Sequence, residues 1–561
     1  MKQFIFACLL LLGMNACSYG QDRMYPGLSS ASLLNDPAIR KVSIAMAAIE
    51  NLYVDTVNNN KLAEDAITGL LEKLDPHSAY LTADEVKDSN EPLQGNFDGI
   101  GIQFNMMTDT LYVIQVIPGG PSEKVGIQAG DQIIFVNDTL IAGVKMANTA
   151  VMSKLKGPKG TTVEVKILRK GNPQLLVFKI VRDKIPVYSL NSSYMVDNKT
   201  GYIKLDRFGA TTFQEFKDAE QKLEDQGMEN LILDLQGNGG GYLTAAIEIV
   251  NEFLKPGSLI VYTEGLNQRR EDARSNNSGA FKNGRLVILV DEGSASASEI
   301  VSGAIQDWDR GVIVGRRTFG KGLVQRPIPL PDGSMIRLTT ARYYTPTGRS
   351  IQKPYTKGDF ESYAKEVIDR YNRGELLSAD SIHFPDSLKY NTLINNRVVY
   401  GGGGIMPDYY IPIDTTGALY IAGSTSLYRE ILNKGILYQY SRNLIDDNRK
   451  KYQEQYPTFD SFEKNFTATD AMLNGMMNLY KKEKADDLKQ ESYQLTEDQQ
   501  KELDKSKSLL LQQIKLLIVR GLYSDNEYYQ AVNPLTDSYK KAVQIISDEK
   551  EYNKLLNPDR K

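Results

Sequence analysis

The apolar residues of this chain change period along its length, and that change limits the folds it can reach. Over residues 36–94 they recur at helical spacing. Ile39, Val42, Ile44, Met46, Ile49, Leu52 and Tyr53 share one stripe, Leu62 to Leu74 continue it after a polar break, and Leu74-Asp75-Pro76-His77 is a helix stop. Over 95–185 the period drops to two. Short runs at Leu111–Ile117, Gln132–Val136, Val163–Leu168 and Leu175–Val181 are separated by Gly/Pro turns, with a helix near Asn148 to Leu155. Over 190–415 strands (201–205, 230–235, 286–291, 312–315, 335–344) alternate with helices (211–225, 242–254, 297–308), the signature of a layered α/β domain. A polar stretch at about 356–396 reads as a surface insertion, and Gly401 to Gly404 as a flexible turn. Residues 416–561 are helical again, with Leu509, Leu510, Ile514, Leu517, Ile518 and Leu522 on one face. A chain of 561 residues exceeds one core, so the expectation is a multidomain α+β protein whose last segment packs or assembles.

Composition removes several functions. The net charge of −4 offers no basic surface for nucleic acid. Cys8 and Cys17 are the only cysteines and both lie near the N-terminus, which predicts no disulfide and no Cys-based metal site in the mature chain. His77 and His383 are the only histidines, so a Ser-His-Asp triad or a His-based metal site would have to use one of them. Acid–base chemistry is expected to rest on Lys, Asp or Glu, with no cofactor and no metal.

The N-terminus reads as an export signal over residues 1–20, with Lys2 ahead of the short apolar run Phe4 to Met14. Two cleavage readings stand side by side. Met14-Asn15-Ala16-Cys17 is similar to a lipobox and would leave Cys17 as a lipidated first residue. Ser18-Tyr19-Gly20 before Gln21 suits ordinary signal peptidase. An uncleaved anchor is the third. The expected location is the periplasm or cell envelope.

Two segments carry chemistry. Gly293-Ser294-Ala295-Ser296-Ala297-Ser298-Glu299-Ile300 follows the apolar run Leu286 to Val290, so a buried strand leads through a small-residue turn into a helix. That geometry exposes a serine hydroxyl at a helix N-terminus, where free N–H groups favour negative charge. The same serines could simply cap the helix. Thr318-Phe319-Gly320-Lys321-Gly322 follows the strand Val312 to Val314 in a Gly-flanked turn. A lysine there is a general base if burial keeps it neutral, and otherwise a solvated turn residue.

Together these stretches resemble the C-terminal processing peptidases, or tail-specific proteases, whose pattern is SASASE followed by TFGKG-V-Q. The resemblance implies Ser296 as nucleophile, Lys321 as base and Gln325 as the residue that orients the lysine. Leu74-Asp75-Pro76-His77-Ser78, Gln306-Asp307, Tyr344 to Ile351 and Gly404-Ile405-Met406-Pro407-Asp408 follow in the family's order, so the likeness spans about 36–415. One stretch departs from it. Where the family has D-L-R-N-x-P-G-G, this chain has Asp234-Leu235-Gln236-Gly237-Asn238-Gly239-Gly240-Gly241. The resemblance implies an oxyanion hole from the N–H groups of Gly241 or its neighbour Gly240 and of Ala297, while Asp234 and Asp307 fix local structure.

The resemblance further implies a segment 36–94 before a PDZ-like domain at 95–185, a ClpP/crotonase-like α/β catalytic domain at 190–415 and a helical domain at 416–561. In the PDZ-like domain, Gly99-Ile100-Gly101-Ile102 would receive a peptide C-terminus through successive N–H groups, with Ile100 and Ile102 lining a side-chain pocket and Arg169 a candidate sensor of the bound peptide. The implied partners are protein or peptide substrates held by their C-termini, with a lipid at Cys17 and a homo-oligomer left open. The expected function is a serine endopeptidase acting on exported proteins. Its rivals are a catalytically inactive PDZ-type scaffold of the envelope and a structural lipoprotein.

Overall fold

The computed structural model describes residues 36–107, 109–414 and 425–557, so the export signal and Cys17 lie outside the described residues. The chain divides into two compact units. One comprises residues up to Thr82 together with 327–338 and 355–363, and the other the rest.

In the first unit, Asp36 caps helix α1 (Pro37–Leu52) by accepting from the Ala38 amide at 2.7 Å, with proline at the first turn where no N–H is needed. The expected stripe forms on α1, but no residue of this helix is buried; Ile44 and Leu52 are exposed. Helix α2 (Asn59–Leu71) follows, ending ahead of the predicted stop. Strand β1 (Ala79–Leu81) pairs antiparallel with residues 335–337. His77 lies beside it, its Nε2 2.8 Å from the Tyr363 hydroxyl.

The second unit begins with helix α3 (Ala83–Gln94). Next is a sheet in the order β2 (Ile102–Met107), β3 (Thr110–Val116), β4 (Gln132–Val136), β5 (Thr162–Leu168), β6 (Leu176–Val181), antiparallel throughout. Val163, Val165 and Ile167 alternate inward along β5 and meet Val151 and Leu155 of helix α4 (Asn148–Leu155).

A second sheet runs in chain order: β7 (Leu190–Met195), β8 (Thr200–Leu205), β9 (Asn230–Asp234), β10 (Leu286–Val290), β11 (Val312–Gly315) and β12 (Tyr409–Tyr410). Only the first pair is antiparallel. Strands β8 to β11 are buried along their whole length, which is why β10 and the middles of β9 and β11 read as unbroken apolar runs; β8 buries Lys204 as well. On one face Ile203, Leu233 and Ile288 meet helices α5 (Thr212–Glu224), α6 (Leu243–Phe253) and α7 (Ala297–Asp307) through Phe216, Ile249 and Ile300. On the other face Tyr202, Ile232, Val287, Leu289, Val312 and Val314 meet Tyr539, Ala542, Ile545, Ile546 and Tyr552. These belong to α15 (Asp537–Ser547) and α16 (Glu549–Leu556), at the far end of the chain.

Between the two sheet-covering sets lie α8 (Phe360–Asn372) and, after the undescribed 415–424, a helical bundle: α9 (Ser426–Asn433), α10 (Ile436–Gln455), α11 (Phe459–Asn465), α12 (Asp470–Leu488), α13 (Glu497–Leu522) and α14 (Asp525–Val532). Leu510, Ile514 and Ile518 of α13 form its core with Ile431, Phe462 and Tyr480. The segment expected as one packing domain therefore has two roles, a bundle of its own and a cover for the second sheet. The stretch read as a surface insertion is largely exposed, as with Ile368 and Ile394, but it is not wholly solvated: Arg370 is at 1% exposure, Thr392 equally so, and Glu375 and Leu376 are buried. Nor is the Gly401–Gly404 turn loose: Gly402 N donates to Ser350 O, Gly404 N to Ile351 O, and Gly403 O accepts from Arg317. No described helix is long and apolar enough to cross a membrane.

Candidate active site

The strand β10 ends at Val290, and the turn after it must bring the chain into α7. Asp291 organises that turn by accepting from the amides of Gly293 and Gly237. Three serines follow. Ser294 is fully buried and donates to Leu235 O at 2.8 Å; Ser298 is fully buried and donates to Asn238 O at 2.8 Å. Ser296 alone is partly exposed, and it occupies the N-cap position of α7. Its φ of 53° places a non-glycine residue in the left-handed region, a strained conformation that persists only where the surroundings enforce it.

The surroundings that enforce it centre on Glu299, which is completely buried. Its Oε2 accepts from Ser296 N at 2.8 Å and from Lys321 N at 2.8 Å. Its Oε1 accepts from Thr318 Oγ1 at 2.6 Å and Gly320 N at 2.7 Å. One carboxylate thus ties the serine turn to the lysine turn. Burial pushes its pKa up to about 7, against the opposing pull of the Thr318 hydroxyl and the Lys321, Gly320 and Ser296 amides. Lys321 is partly buried, and its Nζ donates at 3.0 Å to Oε1 of Gln325, which lies on the strand Leu323–Pro329. The structure therefore brings Ser296, Lys321 and Gln325 into one locale. Glu299 is the residue that the motif reading passed over; it stood in plain view inside the serine segment, where an acid three residues after an N-cap reads as an ordinary capping box.

The glycine-rich turn after β9 closes the site from the other side. Asn238 is fully buried, its Nδ2 donating to Leu205 O and its carbonyl accepting from Ala295 N and Ser298 Oγ. Gly240 has φ +101°, and a Cβ there would lie 2.8 Å from Ser296 Cβ and 3.0 Å from Ala297 N. This loop therefore lies directly on the first turn of α7, an approach only glycine permits. The Gly240 N–H is spent on Asn238 Oδ1 at 2.9 Å. Of the two candidate donors this favours Gly241, with Ala297 N at the helix start as its partner. Asp234 accepts from Tyr202 Oη and from Gln236 N, and Gln236, in the family's basic position, has its Oε1 facing Ser538 of α15.

Behind α7 the scattered motif stretches converge. Arg349 and Asp307, neither exposed, form an ion pair at 2.7 Å; Asp307 also accepts from Thr347. Gln306 accepts from Arg349 and donates to Met406 O and Asp408 Oδ1. These residues anchor α7.

In the antiparallel domain, Gly101 has φ +75° and a Cβ there would press on Ile185 and Pro121. The Gly99 strand end pairs with Asp183. Ile100 lies in the domain core at 3% exposure, and Ile102 packs against that core. Ile100 is thus largely a packing residue. Arg169, offered as a sensor, is committed: its Nε and Nη2 each lie 2.7 Å from a different oxygen of the buried Asp131, and Nη2 also donates to Gly126 O. His383 is exposed, and no cluster of metal-ligating side chains exists among the described residues.

Comparison with known proteins matches residues 199–362 to peptidase family S41, 99–180 to the PDZ domain, 21–85 to the activating protease CtpB N-terminal domain and 427–525 to a family of unknown function. A carboxy-terminal-processing protease of Bartonella bacilliformis is 40% identical over 311 residues, which cover 54% of this chain and 70% of that protein. Carboxy-terminal processing protease CtpB of Bacillus subtilis is 34% identical over 378 residues, covering 66% of this chain and 76% of that one. The solved photosystem II D1 C-terminal processing protease is 29% identical, covers 55% of this chain and 89% of its own, and superposes with a TM-score of 0.32.

Proposed function

The chain belongs to the carboxy-terminal processing proteases of peptidase family S41, serine-type peptidases with a PDZ domain, and from that premise we propose that it cleaves exported proteins near their C-termini with a Ser296–Lys321 dyad. Ser296 Oγ attacks the scissile carbonyl while neutral Lys321 Nζ takes the hydroxyl proton. The negative oxygen that forms is held by the N–H groups of Gly241 and Ala297. The C–N bond then breaks as Lys321 returns the proton to the leaving amine. Water, deprotonated by Lys321, attacks the acyl ester, and Ser296 regains its hydrogen as the product acid leaves. Gln325 accepts from Lys321 and orients it.

The observation that carries this reading is the fate of the three serines. Ser294 and Ser298 spend their hydroxyls on buried carbonyls, whereas Ser296 is partly exposed on a strained turn that Glu299 joins to the lysine turn. The PDZ domain, through Gly99 to Ile102, supplies the grip on a substrate's C-terminus. Export to the periplasm or envelope rests on the N-terminal sequence, and mass spectrometry of the mature N-terminus separates a lipidated Cys17 from a chain beginning at Gln21.

The test is a fluorophosphonate probe and an unfolded protein substrate. Wild type should be labelled on Ser296 and should cut the substrate; Ser296→Ala and Lys321→Ala should be folded and inert. Wild type that takes no label and cuts nothing would return the chain to the scaffold reading.

A further inference from the structure

The turn that carries Lys321 is intrinsically loose. Gly320 and Gly322 flank the lysine, and Gly320 has φ +89°. Its amide side is held by Glu299. Its carbonyl side is held by a residue some fifty positions away, in the stretch the sequence offers as surface. Arg370 of α8 is 1% exposed; its Nη1 donates to Thr318 O at 3.0 Å and its Nη2 to Arg317 O at 2.6 Å. The turn is thus gripped by a carboxylate on its N–H groups and by a guanidinium on its C=O groups. Each charge matches the end of the peptide dipole it meets.

The guanidinium is itself held. Its Nε lies 3.4 Å from Glu375 Oε2, the same oxygen that accepts from Arg317 Nη2 at 2.5 Å. Arg317 Nη1 donates to Gly403 O at 2.7 Å, and Glu366 stands 3.7 Å from Arg317 Nη2 and 3.1 Å from Lys353 Nζ. Two arginines and two glutamates, all largely buried, therefore form a block against the back of the lysine turn. A buried ionic block of this kind contributes little net stability over an apolar one, so its geometry is the property worth explaining. A planar fork that meets two successive carbonyls fixes the direction in which the chain leaves residue 318, three residues before the lysine. A lysine or glutamine presents its donors from a single nitrogen and cannot reproduce this two-nitrogen fork.

We propose that Arg370 is a positioning residue for the Lys321 turn, contributed by the segment 364–400, and that without its two hydrogen bonds the lysine amine loses the placement proton transfer needs. The proposal rests on Lys321 acting as the base.

The experiment compares purified full-length wild type, Arg370→Ala, Arg370→Lys and Lys321→Ala on one unfolded protein substrate, with circular dichroism as the fold check. A misplacement of this kind acts on the chemical step, so kcat of Arg370→Ala should fall at least about tenfold while KM stays within about twofold. Methylguanidinium should restore at least about threefold of that loss in Arg370→Ala, because it refills the two-pronged donor, and none in Lys321→Ala. Arg370→Lys keeps the charge but not the fork, and its kcat should fall at least about threefold; it decides the matter if Arg370→Ala does not fold. A smaller fall in folded Arg370→Lys, or a loss in Arg370→Ala that follows the folded fraction and ignores methylguanidinium, would overturn the proposal and leave the dyad standing. Turnover by Lys321→Ala would instead overturn the dyad, and this proposal with it.

Discussion

The backbone amides of Ser296 and Lys321 donate to one oxygen, Glu299 Oε2, each at 2.8 Å. The proposed nucleophile and the proposed base are thereby referred to a single point, and movement of either turn is felt by the other. The other oxygen is fully used as well, by Thr318 and Gly320. Three backbone amides and the Thr318 hydroxyl surround the carboxylate, and its ionised form accepts from all four at once.

Glu299→Gln tests that arrangement. The amide keeps one accepting oxygen and turns the other position into an NH2 group that faces N–H or O–H donors. The variant should fold, because α7 stays anchored through Asp307 and Arg349, but kcat should fall by about 10²-fold, the usual cost of a small misplacement at the reacting atoms. Turnover of folded Glu299→Gln at the wild-type rate would refute the role assigned to the shared oxygen.

The pH dependence follows from the same group. Its folded-state pKa is raised from the ordinary 4.5 to about 7, chiefly by burial. Native protein therefore holds this proton more tightly than unfolded chain does. The associated stability is fully present below 4.5 and is lost as pH rises through about 7. Activity runs the other way, because Glu299 must be ionised to hold both turns and Lys321 must be neutral to accept a proton. Turnover should rise as pH climbs through 7, and chelators should leave it unchanged. Lys321→Arg should be inactive at every pH, since guanidinium stays protonated. Glu299→Gln should flatten the stability slope between 4.5 and 7 in urea titrations at a series of pH values; an unchanged slope would exclude this carboxyl as its source.

The glycine turn makes a graded prediction. Gly239 has open space around its missing Cβ, so Gly239→Ala should turn over at close to the wild-type rate. At Gly240 a Cβ would sit 2.8 Å from Ala295 O and from Ser296 Cβ, with φ at +101°. Gly240→Ala should push the loop off the helix start and lower kcat by roughly 10²–10³, the range seen when an oxyanion donor is lost. Equal kcat for the two variants would show that this loop does not contribute to the chemistry.

Substrate choice is tested with paired peptides. If Gly99 to Ile102 receive a terminal carboxylate, a flexible peptide with a free apolar C-terminus should be cut faster than its amidated twin, because the charged acceptor makes the stronger hydrogen bonds. Gly101→Val should erase that difference: φ is +75°, and a Cβ there would crowd Ile185 and Pro121. Cleavage of the amidated peptide should survive. Identical initial rates for both peptides on wild type would remove the PDZ loop from substrate selection.

Much of this was legible in the sequence because it is local or carried by motifs. The strands β9 to β11 declare themselves by short apolar runs, and Ser296, Lys321 and Gln325 stand in the order of the family pattern. What escaped is relational. Arg370 sits in a polar stretch where nothing in periodicity distinguishes a buried guanidinium from a solvated one; only the fold lays it against Thr318. The hairpin strand Gln268–Arg274 is nearly all charged and carries no strand signal, yet it pairs with Leu259–Gly265. Ile545 and Ile546 show an apolar helix face, but a face does not name its partner, and that partner is a sheet face built from residues as far back as Tyr202.

That last arrangement bears on timing. Tyr552 Oη donates to the carbonyl of Leu286 and lies 3.1 Å from its amide, at the start of the strand that leads to Ser296. A chain still being synthesised has β7 to β11 long before it has α15 and α16. Until those helices arrive, Tyr202, Ile232, Val287, Leu289, Val312 and Val314 face water. At roughly 1.5–3 kcal/mol for each large apolar side chain, that exposure rivals the whole stability of an ordinary domain. The strand that leads to Ser296 is therefore covered on both faces only once α15 and α16 have docked, so the order in which the chain emerges sets the order in which this sheet is completed.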